Sequence, residues 1–80
     1  NKLGLHARAA AKFVTLASSF SSEVDLSKDS QTVNGKSIMG VMMLAASIGT
    51  RLTLTTNGVD EDEAITRIEE LVLNKFGEEE

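Results

Sequence analysis

Between Ala7 and Phe76 the spacing of apolar residues switches repeatedly between the helical and the strand period, with no linker, repeat or low-complexity stretch between the segments. From Ala7 to about Phe20, Ala10, Phe13, Val14 and Ala17 recur at intervals of three and four, which marks one buried stripe on a helix. The serines at 18, 19, 21 and 22 then allow that helix to stop. Glu23 to Lys28 alternates polar and apolar as a half-buried strand does, Asp29-Ser30 reads as a tight turn, and Gln31-Thr32-Val33 as a short return strand. Asn34-Gly35 breaks the pattern, and Ser37 is placed to cap a second helix over Ile38 to Ala46 or Ser47, ended by Gly49. Arg51 to Thr56 alternates again, closed by Asn57-Gly58. Asp60 to Glu63 puts four carboxylates on the first turn of a last helix, where the dipole favours them. Ala64, Ile65, Ile68, Leu71, Val72 and Phe76 form its apolar stripe, and Gly77 with the three final glutamates reads as a frayed end.

The order is thus helix, strand, strand, helix, strand, helix. Hairpin-type connections imply an antiparallel sheet with helices on one face, an α+β two-layer sandwich formed by residues 1–80 as a single domain. Eighty residues hold only a modest core. The chain has no cysteine, so neither a disulfide framework nor a thiolate metal site is available, and the cytoplasm is the better expectation. The longest apolar run, Ile38 to Ala46 broken by Gly40, is too short to span a bilayer. A net charge of −4 and three phenylalanines as the whole aromatic content argue against nucleic acid as a partner, since phosphate contacts need cations and bases need stacking surfaces.

The second helix carries more apolar surface than one buried face explains. At about 100° per residue, Val41, Leu44, Ala45 and Ile48 fall on one side, assigned to the core. Met39, Met42, Met43 and Ala46 fall opposite, with Ile38 at the border. Either another element covers that second side or it is a surface for partners. A two-layer domain of this size has little left to cover it, and methionines adapt to several partners, so a docking surface is expected.

His6 is the single histidine. It follows Gly4-Leu5 and opens an alanine-rich helix, with Arg8 and Lys12 close behind. Histidine can serve as a covalent nucleophile, and its neutral form is available at physiological pH. At a helix start the N–H groups of Ala7, Arg8 and Ala9 would receive an anion, with the Arg8 guanidinium within reach. One histidine with scattered carboxylates lacks metal-ligand spacing, and no second histidine or cysteine exists to build a triad. By itself this makes His6 a candidate phosphoryl acceptor, beside the plainer reading of a surface histidine near a helix start.

The run Gly4-Leu5-His6-Ala7-Arg8, followed by Ala10-Ala11-Lys12-Phe13-Val14, resembles the active-site segment of the histidine-containing phosphocarrier (HPr) family of the bacterial sugar phosphotransferase system. Lys36-Ser37-Ile38-Met39-Gly40-Val41-Met42 resembles the regulatory-serine segment of the same family. Gly58 before an acidic helix start, and Phe76-Gly77 near the end, are a third likeness. The resemblance implies an open-faced sandwich with a sheet in the order 1-4-2-3. It implies a carrier, not an enzyme in the strict sense, with no cofactor, that works as a monomer in the bacterial cytoplasm. His6 would take a phosphoryl group from phosphoenolpyruvate-charged enzyme I and pass it to IIA domains of sugar permeases, and Arg8 would help to hold it. Ser37 would be the target of a serine kinase/phosphorylase. Ile38, Met39 and Met42, with Met43 and Lys12, would form the docking surface. The alternative is a regulatory module that joins a transcription regulator through phosphorylated Ser37.

Two departures matter. Ala9 stands where the family usually has proline, and the chain contains no proline. Proline would fix φ in the first turn and remove an N–H without a helical partner. A looser first turn and one more available donor are therefore expected, with Ala9→Pro changing the transfer rate by no more than about tenfold, or about 1.4 kcal/mol. The resemblance also implies a strand ahead of Asn1. Either the sequence lacks its first residues or the sheet has three strands and an exposed edge.

Overall fold

The computed structural model describes residues 2–28, 30–45 and 52–73, with backbone only for 2–6 and 45. The elements run α1 (Lys2–Ser18), β1 (Glu23–Lys28), β2 (Gln31–Asn34), α2 (Ile38–Ala45), β3 (Thr53–Asn57) and α3 (Glu61–Leu73). The type and order of all six agree with the periodicity, and the bounds of β1 coincide with it. Among the described residues the sheet has three strands in the order β2-β1-β3, antiparallel throughout. Leu26 pairs with Val33 on one side and with Leu54 on the other, so the central strand carries the inward apolar row.

Helices cover one face. Ala10, Phe13 and Ala17 of α1, Val41 and Leu44 of α2, and Ala64 and Ile68 of α3 close over Val24 and Leu26. Burying the larger of these side chains, Phe13, Val24, Leu26, Val41, Leu44 and Ile68, is worth about 1.5–3 kcal/mol each. The opposite face of the sheet is polar, with Glu23, Asp25 and Ser27 registered against Asn57, Thr55 and Thr53. The molecule is therefore an open-faced two-layer sandwich.

The largest departure is at α1, which begins at Lys2 instead of near Ala7 and ends at Ser18. The cause lies in the residue at position 9. A proline inside a helix clashes with the carbonyl four residues back and forces the helix to begin near it. Ala9 imposes no such limit, and Gly4 lowers helix stability by only about 1 kcal/mol relative to alanine. The expectation that Ala9 leaves its N–H available is thus corrected: in a helix of these bounds the N–H groups of Ala7, Arg8 and Ala9 belong to the hydrogen-bonded ladder.

Other differences are smaller. β3 starts at Thr53, with Leu52 outside it, and extends to Asn57. β2 takes in Asn34 because that residue pairs with Asp25. Asp29 of the expected turn, the stretch 46–51 with Ala46, Ile48, the Gly49 stop and Arg51, and the tail from Asn74 with Phe76 and Gly77 lie outside the described residues.

Asp60 is not on the first turn of α3 but just before it, with Ala64 N–H donating to its carbonyl at 2.9 Å. Its carboxylate accepts from the N–H groups of Ser21 (2.9 Å) and Ser22 (2.8 Å) and from the Ser22 hydroxyl, while Asp60 N–H donates to Ser22 Oγ at 3.2 Å. Ser22 is almost fully buried. This clasp ties the approach to β1 to the start of α3 across 38 positions of sequence. Gly58 makes room for it. Its φ is +154°, and a Cβ there would stand 2.6 Å from Ser22 Cα.

Candidate functional site

Ser37 stands at the start of α2, partly buried. Gly40 N–H donates to its hydroxyl at 3.2 Å and Val41 N–H to its carbonyl at 3.0 Å, the arrangement of an N-cap, as its sequence position predicts. The turn before it is held as well. Ser37 N–H donates to the Asn34 carbonyl (3.0 Å) and Lys36 N–H to Asn34 Oδ1 (2.8 Å). Lys36 Nζ reaches back to donate to the Phe20 carbonyl at 2.8 Å. Gly40 lets α2 approach the sheet, since a Cβ there would lie 3.0 Å from Val33 Cβ.

Next to Ser37 the apolar face opens to solvent. Met39 is 77% exposed, Met43 58% and Ile38 39%, whereas Val41 and Leu44 are buried as assigned. Met42 corrects the periodicity argument: it is only partly exposed and packs against the core. A helical wheel gives angles but not the depth of neighbouring elements, and the exposed patch contracts to Ile38, Met39 and Met43.

On α1, Arg8 and Lys12 are both exposed and, four residues apart, share one helix face. Ala7 and Ala9 are partly buried. The backbone of His6 lies on the second turn of α1. The hydrogen bonds that shape the Ser37 end of the site lie among the described residues, whereas the side chain of His6 lies outside them.

Sequence reasoning missed two contacts that hold this part of the fold. The Asp60 clasp has a faint signal in the serine pair and in an aspartate one residue ahead of a helix. The Lys36–Phe20 bond has none, because a flexible lysine has many carbonyls within reach.

These residues build an open-faced antiparallel sandwich with a capped serine beside an exposed methionine patch. Comparison with known proteins is more specific. The family described as PTS-HPr, PTS HPr component phosphorylation site, matches residues 1–74. The phosphocarrier protein HPr of Cupriavidus necator is 56% identical over 78 residues, covering 98% of this chain and 88% of that protein. The HPr of Neisseria meningitidis serogroup A is also 56% identical, with the same coverage. Among solved structures, the HPr dimer of Thermoanaerobacter tengcongensis superposes with a TM-score of 0.86 at 52% identity, over 98% of this chain and 90% of that one. Crh of Bacillus subtilis, described as a swapped dimer, gives 0.78 at 50% identity over 85% and 78%. The chain belongs to the HPr family of phosphocarrier proteins of the phosphotransferase system.

Proposed function

We propose that this chain accepts a phosphoryl group on His6 from a phosphoenolpyruvate-charged enzyme I and passes it to the IIA domains of sugar permeases. A ring nitrogen of neutral His6 attacks phosphorus, the N–P bond forms as the bond to the donor breaks, and the reverse step delivers the group to the acceptor. The observation that carries the reading is the family match over residues 1–74, which includes His6 and Arg8 and is described by its phosphorylation site. In this reading the turn from Lys2 to Leu5 opens during transfer. It contains Gly4 and no acidic residue to favour the helix start. With α1 starting at Ala7, the N–H groups of Ala7, Arg8 and Ala9 and the Arg8 guanidinium converge on the group. Lys12, Ile38, Met39, Met42 and Met43 dock the partners, Met42 through its exposed part.

Ser37 regulates this exchange. Phosphorylation by an ATP-dependent serine kinase/phosphorylase adds a charge of about −1.5 to −2 beside the apolar patch and weakens docking to an acidic partner. A second reading, a module that joins a transcription regulator through phosphorylated Ser37, is favoured by how fully the structure prepares that hydroxyl. The carrier acts in the bacterial cytoplasm. It acts as a monomer, and sedimentation at micromolar concentration is expected to give the mass of one chain. A mass of two chains would align it with the dimers seen among its relatives.

The deciding experiment mixes the protein with phosphoenolpyruvate, magnesium and its cognate enzyme I and follows intact mass. Gain of one acid-labile phosphoryl group, absent from His6→Ala, is expected. No gain with an enzyme I active on another carrier overturns the reading in favour of the regulatory module.

A further inference from the structure

Lys36 joins the Ser37 turn directly to the turn that closes the far end of α1. Its backbone is fixed by Asn34, but its ammonium extends away from α2 and donates to the Phe20 carbonyl, where α1 runs out. Ser19 N–H closes on the Leu16 carbonyl at 3.0 Å and Phe20 N–H on the Ala17 carbonyl at 3.2 Å, so the helix finishes in a tight turn. The Phe20 carbonyl lies two residues beyond the last helical residue, Ser18, so Lys36 holds the turn that closes α1 and not a carbonyl of the helix itself. Phe20 is itself buried in the core.

The acceptor Lys36 now uses is a neutral carbonyl. A phosphoryl group on the adjacent residue would offer three ionised oxygens on a Cα only about 3.8 Å away. Hydrogen bonds between ionised partners are roughly twice as strong as those with a neutral partner. Lysine rotates on a flexible four-carbon stem, so the ammonium can change acceptor without backbone movement. We infer that Lys36 couples the two ends of the molecule: a phosphoryl group on Ser37 draws its ammonium off the Phe20 carbonyl and loosens the last turn of α1, the helix that carries His6 and Arg8. This rests on the reading of Ser37 as a phosphorylation site and adds the route by which the modification reaches α1. Linkage makes the coupling reciprocal, so anything that frays the end of α1 frees Lys36 to favour the phosphorylated state.

The test is a cycle in amide hydrogen exchange, with phosphoserine placed at position 37 by chemical synthesis of the chain, so that it does not depend on any kinase. Protection of Ser19 and Phe20 is compared in the unmodified chain, the phosphorylated chain, Lys36→Met and phosphorylated Lys36→Met. Phosphorylation is expected to lower protection of those two amides about tenfold in the native sequence. Lys36→Met alone is expected to lower it by a similar factor, and phosphorylation should then add nothing. Unchanged protection at Ala64 N–H shows that each chain is folded. An equal loss on phosphorylation with and without Lys36, or no loss in the native sequence, overturns the inference. Failure of a serine kinase to modify Ser37 would instead remove the biological trigger and leave the coupling standing.

Discussion

The two ends of the candidate site are built by different means. At Ser37 the sequence places a hydroxyl at a helix start, and four hydrogen bonds fix the turn around it. At His6 the proposed acceptor depends on where a helix begins, and α1 runs past the expected start to Lys2. A cap is a local device, set by one side chain and the N–H three residues on. A helix start with no proline to fix it is set by a balance of small propensities, each below about 1 kcal/mol. One end is therefore held by local hydrogen bonds, whereas on the proposed reading the other opens during transfer.

The largest effect that sharpens this contrast is at His6. His6→Ala is expected to abolish phosphoryl uptake from charged enzyme I while leaving the melting temperature unchanged within about 1 °C, since alanine is the better helix former. Ser37→Ala is expected to keep uptake. If both variants took up the phosphoryl group, the assignment of the two ends would break.

The next effect concerns the clasp that ties the approach to β1 to the start of α3. The Ser22 hydroxyl, then the N–H groups of Ser21 and Ser22, hold the Asp60 carboxyl below its ordinary value near 3.8. A carboxyl with a depressed folded-state value stabilises the fold above its unfolded value and loses that contribution as pH falls through the folded one. Thermal stability should therefore fall as pH drops below about 4, and Asp60→Asn should flatten that part of the profile while lowering the melting temperature at pH 7. A profile identical in both proteins would mean that the clasp is not what acid releases.

How much of this was legible follows from the range of each interaction. Phe13, Val24, Val41, Leu44 and Ile68 are buried as the periodicity requires, because amphipathic period is a strong and local signal. Met42 was misassigned because its burial depends on neighbouring elements and not on its own angle. Asp60 was read as an interchangeable member of an acidic first turn, yet it reaches residues 38 and 39 positions back. The likeness at Gly4 to Arg8 pointed to the chemistry of His6 but not to its backbone, since Ala9 departs from the family at the residue that sets the start of α1.

That residue supplies the third prediction. Ala9→Pro is expected to make α1 begin near Ala7 by removing the N–H that bonds the carbonyl of Leu5 and by the clash of its ring with that carbonyl. Far-ultraviolet circular dichroism should lose about one turn of helix. If the short helix is the transfer-competent form, as proposed, the rate of phosphoryl uptake should rise, by less than about tenfold or about 1.4 kcal/mol. A loss of helix with a fall in rate would show that the long helix is the competent form and would reverse the contrast drawn above.

The smallest expected effect is at the cap itself. Ser37→Ala removes the acceptor for the Gly40 N–H and should cost about 1 kcal/mol of stability. Ser37→Asp keeps an acceptor and places a negative charge at the positive end of α2, so its stability should stay close to that of the native sequence. Denaturant unfolding of the two variants separates capping from regulation. If aspartate restores stability but lowers the rate of transfer from enzyme I, the hydroxyl serves as a cap and its negative form as a brake on docking at Ile38, Met39 and Met43. If aspartate restores both, Ser37 is a cap alone, and the fully built end of the site has no part in regulation.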